Sequence, residues 1–268
     1  PHGALTPAFR GEMVGSGRGI HKEGEGLMRR LLPSAVLFGV LFTCMAGAAT
    51  AAPPVFTHGV SSGDVTSRTA ILWTRVNQAV ELKAEVSKNA SFSPKAFTGE
   101  VHATSGNDFT AKIVAFGLSP NTTYYYRFRK SSTNSPVGTF KTAPSSSSSA
   151  NVKFAYTGDS DGTLVGGLPF HNNFPVLDAV RGENPDFFGY IGDTIYSDSS
   201  LRPGGLPATT LSEYRDAYKV NRTYTALKSL LAATSTYVQA DDHEIQNDYD
   251  GQTVDPARYA AGREAFVE

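Results

Sequence analysis

Three apolar runs in the second half of this 268-residue chain end in carboxylates. Residues 152–157 run into Gly158-Asp159, with Asp161 two positions on; residues 187–191 run into Gly192-Asp193, with Tyr196 three positions on; residues 236–240 run into Asp241-Asp242-His243-Glu244. Carboxylates from neighbouring strands, brought close together, raise one another's pKa, and cations are the natural remedy. A tyrosine oxygen is an uncommon ligand that suits a hard trivalent ion such as iron. Asp193, at the end of the middle run, is the candidate to bridge two ions by offering one oxygen to each. Asp159 and Tyr196, with Asp161 as an addition, would complete the shell of one ion, and Asp242 would serve the second. Asp241 and Glu244 are candidates to support these ligands from behind, the alternative being a solvated acidic turn.

The elements that must position these residues follow from periodicity. Short apolar runs stopping at glycine read as buried parallel strands, and in open α/β sheets ligands gather in the crevice beyond the carboxyl ends of the strands. Residues 175–181, 211–218 and 224–232 read as helices, so strands and helices alternate, which predicts βαβ units with right-handed crossovers and brings the acidic strand ends to one edge. Residues 53–144 have a different texture. Runs at 69–76, 81–86, 110–116 and 123–128 alternate apolar with polar residues between turn signals, as the half-buried strands of a small β-sandwich do. The serine run at 145–149 reads as a flexible linker, giving a sandwich domain at 53–144, a linker at 145–150 and an α/β domain at 151–268. Trp73 is expected in the sandwich core and His58 as a structural hydrogen-bonder. His102 and His171 have no partner pattern nearby, although His171 lies in the loop after the first strand end, within reach of a substrate.

Taken in order, Gly158-Asp159, Gly192-Asp193 with Tyr196, and Asp242-His243-Glu244 resemble the motif series of calcineurin-type metallophosphoesterases. The Asp-Asp-His-Glu form is similar to that of PhoD-type alkaline phosphatases, and the Asp193/Tyr196 pair to that of purple acid phosphatases. Residues 117–127 resemble a fibronectin type III corner, and residues 56–64 followed by Ala70–Arg75 resemble the opening of the PhoD-type amino-terminal domain. The resemblance implies an all-β, fibronectin type III-like sandwich followed by an α/β metallophosphoesterase domain. It implies hydrolysis of phosphate monoesters or diesters by metal-activated water, with two or more metal ions, Fe3+ together with Ca2+. His243 resembles the family histidine that stabilises the phosphate or protonates the leaving group. Asp242 stands where the wider family often has Asn, and the extra charge suits a hard cation such as calcium. Asp159 stands where PhoD-type enzymes often have Cys, which bears on the identity of the first metal, though an oxygen ligand still suits ferric iron. No histidine follows His243, and residues 255–268 read as a helix with no strand after it. The α/β domain is therefore expected to be incomplete at its carboxyl end, and the chain as it stands to be an inactive fragment that binds metal weakly.

Composition narrows the class further. A formal net charge of −1 gives no basic face for nucleic acid. The one cysteine, Cys44, excludes an intrachain disulfide framework. Residues 28–51 have the three parts of a secretory signal: Arg29-Arg30, an apolar run and Ala49-Thr50-Ala51 at the cleavage position. They predict a secreted, periplasmic or extracellular protein without a lasting membrane anchor, while residues 1–27 read as a leader or an upstream artefact of translation. Two other classes fit parts of the pattern: a secreted β-sandwich binding or adhesion module with a non-catalytic metal site, and a metal-dependent hydrolase acting on amides or sugars. A charge-transfer colour from tyrosinate on ferric iron separates the phosphoesterase from both.

Overall fold

Alternation along β2 (Ala70–Arg75) decides the architecture of the first half: Ala70, Leu72 and Thr74 are buried, while Ile71, Trp73 and Arg75 face the other side. The computed structural model describes residues 52–268, so the leader and signal segments and Cys44 lie outside the described residues. Strand β2 pairs antiparallel with β1 (Val60–Gly63) and with β5 (Thr110–Ala115). Facing them is a second antiparallel sheet of β3 (Val80–Ser87), β4 (Lys95–Ala103), β6 (Thr123–Lys130), β7 (Thr133–Asn134) and β8 (Gly138–Lys141). Leu72, Leu82, Val86, Tyr124, Tyr126 and Phe128 fill the space between the two sheets as one apolar cluster. Burying each such side chain stabilises the fold by ~1.5–3 kcal/mol. This is the expected sandwich. Strand β4 escapes the sequence pattern because Gly99 interrupts its alternation, while β1 and β8, at four residues each, are too short to show a period.

The second half adds β9 (Phe154–Thr157), the small hairpin β10 (Leu164–Val165) and β11 (Leu168–Pro169), α1 (Pro175–Gly182), β12 (Phe187–Ile191), α2 (Leu211–Asn221), α3 (Thr225–Ala233), β13 (Ser235–Gln239) and α4 (Pro256–Val267). Strands β9, β12 and β13 are parallel, as the βαβ reading requires. Their helices lie on one face, where Leu177 of α1 and Leu227, Leu230 and Leu231 of α3 pack with Phe188 and Tyr190.

Across the expected boundary at 145–150 the two halves are joined by more than the serine run. Strand β1 pairs in parallel with β13 at Gly63↔Thr236, so a single six-stranded sheet runs in the order β5-β2-β1-β13-β12-β9. Gly63 permits the join, because a Cβ there would lie 2.8 Å from the carbonyl oxygen of Thr236. Residues 52–268 belong to one compact unit, and the serine run crosses its surface as an exposed loop. Helices cover one face of the long sheet. The other face is covered by the second sandwich sheet over β1, β2 and β5, and is bare over β9, β12 and β13, where Phe154, Tyr156, Ile191 and Tyr237 are exposed. Trp73, expected in the sandwich core, sits instead on the helix-facing side, because Leu72 takes the inward position next to it and a strand can turn only alternate residues inward.

Candidate metal centre

Parallel pairing aligns the three acidic strand ends, with Thr157 opposite Tyr190 and Ile191 opposite Gln239. Immediately after its strand, each of Asp159 (φ 55°) and Asp193 (φ 48°) takes the left-handed conformation, in which aspartate is one of the few tolerated non-glycine residues. This turns the chain sharply and keeps both carboxylates over the sheet edge. Gly192 (φ 96°) has no alternative, since a Cβ there would lie 2.5 Å from the Cβ of Asp241. Two buried side chains tie the loops together. Glu244 accepts hydrogen bonds from the backbone N–H of Thr194 (2.5 Å) and of Asp241 (2.8 Å), clamping the loop after β12 to the loop after β13. Asn221, the last residue of α2, accepts from the N–H of Gly162 and donates to the carbonyls of Ser160 and Thr194, holding the loops after β9 and β12.

Over this frame, the hydroxyl of Tyr196 lies 2.9 Å from Asp159 Oδ1 and 3.1 Å from Asp193 Oδ2. One proton therefore serves two carboxylates. Ligand atoms of Asp193, Asp242 and His243 lie within 4.8 Å of one another. Asp193 thus stands between two groups of donors, and its Oδ1 is buried with no hydrogen-bond partner. An orphaned carboxylate oxygen facing oxygen and nitrogen donors is the signature of a cation site, because a buried acceptor left unpaired is costly. Electrostatics agree. Burial, with the charges of Glu244 and Asp242 added, raises the pKa of the Asp193 carboxyl, while burial and the two carboxylates at its hydroxyl push Tyr196 up. Positive charge placed between them would ease the ionisation of both groups. The residues fit one metal on Asp159, Tyr196 and Asp193, and a second on Asp193 and Asp242, with His243 beside it.

The expected ligands thus converge, with one exception. Asp161 accepts a bond at Oδ1 from the N–H of Thr163 two residues on, fixing its own turn, and its Oδ2 faces His171 Nε2 at 3.3 Å across a cleft of about 370 Å3 beside Asp159 and Tyr196. It stands apart from the cluster because a short aspartate side chain is readily captured by its own backbone. Asp241 contributes its backbone and the Cβ packed on Gly192, whereas Glu244 is fully buried, not solvated.

The residue missed in the sequence is Asp198. Its Oδ1 lies 2.7 Å from His243 Nδ1, and its Oδ2 accepts from the N–H of Asn247. Burial pulls His243 down, but the hydrogen bond and charge of Asp198, with Asp193 and Asp242 behind it, outweigh this and hold its pKa above the ordinary histidine value. The ring lies tilted against that of Tyr196, with centroids 4.2 Å apart. Asp198 could have been read as the next acid downstream of Asp193, but nothing in the spacing names its partner 45 residues away.

Comparison with known proteins gives two family matches in succession. Residues 43–144 match the amino-terminal domain of PhoD-like phosphatases, and residues 166–268 match the PhoD-like phosphatase domain. Alkaline phosphatase D of Bacillus subtilis (strain 168) is 30% identical over 243 residues, 80% of this chain and 40% of that protein. A solved structure described as that of PhoD superposes with a TM-score of 0.72 at 29% identity, covering 82% of this chain and 47% of the other. The chain thus spans less than half the length of these relatives.

Proposed function

The chain belongs to the PhoD-like phosphatases, and on that premise we propose that the full-length protein is an exported metal-dependent hydrolase of phosphate esters, with its chemistry centred on Asp193. The observation that carries the reading is the buried, unpartnered Asp193 Oδ1 between Tyr196 with Asp159 on one side and Asp242 with His243 on the other. Tyr196 with Asp159 favours a hard trivalent ion such as Fe3+, and Asp242 a hard divalent ion such as Ca2+. When bound, such ions polarise the phosphate ester and activate water for attack.

This chain's own residues do the rest. Asp198 accepts from His243 Nδ1, which fixes the ring and leaves Nε2 to hold a proton. As the oxygen of water adds to phosphorus and the P–O bond to the alcohol breaks, that proton passes to the leaving oxygen, yielding phosphate and the alcohol. Glu244 and Asn221 keep the loops from drifting apart, which matters because misplacing reacting groups by an ångström costs orders of magnitude in rate. The cleft beside Asp159 and Tyr196, walled by His171, Asn172 and Phe174, is the space for the alcohol part.

The test is metal content and turnover of p-nitrophenyl phosphate and its bis ester by the full-length protein. Asp193→Ala is expected to lose bound metal and nearly all activity, and Tyr196→Phe to lose its visible colour with a smaller loss of metal. Equal metal content in wild type and Asp193→Ala overturns the reading.

A further inference from the structure

A second polar site lies under the helices. Between the long sheet and α2, α3 and α4 is a cavity of about 390 Å3, which shares no lining residue with the cleft beside Asp159. Arg222, one residue past α2 and half-buried, places its guanidinium 4.4 Å from the centre of the Trp73 ring. Its one side-chain hydrogen bond among the described residues is a long one, 3.4 Å, to Ser61 Oγ. The groups that act on its charge are Tyr190, Tyr218 and Tyr126, with no carboxylate among them. The other cations of the wall are occupied: Arg75 by Asp108, Arg215 by Glu268, Lys219 by Asp216, and Lys112 by the carbonyl of Val267. Arg222 is therefore a half-buried cation without a counter-charge among the described residues, open to a ligand that supplies one.

Two further groups point to what compensates it. The hydroxyls of Tyr190 and Tyr218, two residues that line the cavity, are buried and make no hydrogen bond among the described residues. Tyr190 is only 4% exposed. Two unused O–H donors beside an unpaired guanidinium form a donor set with no acceptor, and its complement is a small, compact anion. The cavity reaches the surface past Asp64 and Val238, both exposed.

We propose that this cavity binds a small oxyanion, of the class of inorganic phosphate or sulfate, on the guanidinium of Arg222 and the hydroxyls of Tyr190 and Tyr218. Burial raises the pKa of both phenols, so they remain protonated donors in alkaline solution where ordinary tyrosines begin to ionise. The cation–π contact with Trp73 holds the guanidinium in place when the anion leaves.

The experiment is calorimetric titration of inorganic phosphate, and separately of sulfate, into the 268-residue chain stripped of metal by a chelator and checked for folding by circular dichroism. Chloride at matched ionic strength is the control. Wild type is expected to bind both oxyanions but not chloride. Tyr190→Phe with Tyr218→Phe removes only hydroxyls that bond to nothing, so this variant keeps its thermal midpoint without anion and weakens phosphate binding about tenfold or more. Arg222→Met is expected to abolish binding, and Asp193→Asn, which disables the metal centre, to leave it intact. Absence of binding to the wild-type chain overturns the proposal. So does equal affinity in the double tyrosine variant, or loss of binding in Asp193→Asn alone.

Discussion

Asp198 decides what His243 can do. A histidine beside two carboxylates has a choice of partners, and the 2.7 Å contact to Asp198 commits Nδ1 and leaves Nε2 for the substrate side. Asp198→Asn keeps a hydrogen-bond acceptor of the same size but removes its charge. It is expected to lower turnover by about 10–100-fold, the usual effect of losing such a supporting group, with metal content largely kept. Turnover unchanged within about twofold would mean that the contact merely packs the ring. His58 follows a different logic. It is buried with Nδ1 2.6 Å from Thr57 Oγ1. Burial first, then Arg75, Arg222 and Lys228, lower its pKa from 6.5 to about 4. The unfolded chain therefore takes up a proton that the folded chain refuses. His58 costs no stability above pH 6.5, and stability falls as pH drops from there towards 4. This contribution is at most about 3 kcal/mol. Urea denaturation of wild type and His58→Gln at several pH values in that window is expected to show a shallower pH slope in the variant.

At the scale of elements, the starts of α2 and α4 are written locally, each by a side-chain cap, Thr210 and Asp255. Helix α2 carries a reciprocal cap: Thr210 Oγ1 accepts from the N–H of Glu213, while the Glu213 carboxylate accepts from the N–H of Thr209 and of Thr210. Those backbone bonds pull the Glu213 pKa down to about 2. A lowered carboxyl pKa gives stability that is complete above the unfolded value of 4.5 and disappears as pH falls towards 2. Glu213→Gln is expected to cost about 1 kcal/mol near neutral pH and progressively less in acid, measured by chemical denaturation. The cap matters beyond α2 itself, because Asn221 and Arg222 at the far end of that helix reach the loops of the metal centre and the proposed anion cavity.

At the scale of the molecule, the parallel pairing of β1 with β13 makes sandwich and α/β layer share a sheet. Trp73 Nε1 donates to the backbone carbonyl of Glu268, and Thr139 Oγ1 to that of Ala233, so the helices are pinned to the sandwich as well. Limited proteolysis is expected to cut at the exposed serine run 145–149, since exposed loop tips are where proteases nick first. The two pieces are then expected to co-elute on gel filtration and melt in one transition, because separating them breaks a continuous sheet. Release of a β-rich fragment that melts on its own would show that the halves are independent domains.

The sequence by itself determined most of the longer strands, the helices and the acids at the strand ends, because periodicity and turn chemistry are local. Runs 110–116 and 187–191 became β5 and β12, and the helices expected at 175–181, 211–218 and 224–232 became α1, α2 and α3. It also carried Asp159, Asp193, Tyr196, Asp242 and His243, since a strand end followed by aspartate fixes where a carboxylate must go. What only tertiary structure decided depends on contacts between distant segments. Asp198 meets His243 across 45 residues, Asn221 meets Ser160 across 61, and Arg222 comes under Trp73 from another element altogether. The side of the sheet that Trp73 faces was fixed by register with Leu72. The shared sheet was fixed by the close backbone approach that Gly63 allows, and neither leaves a trace in local pattern.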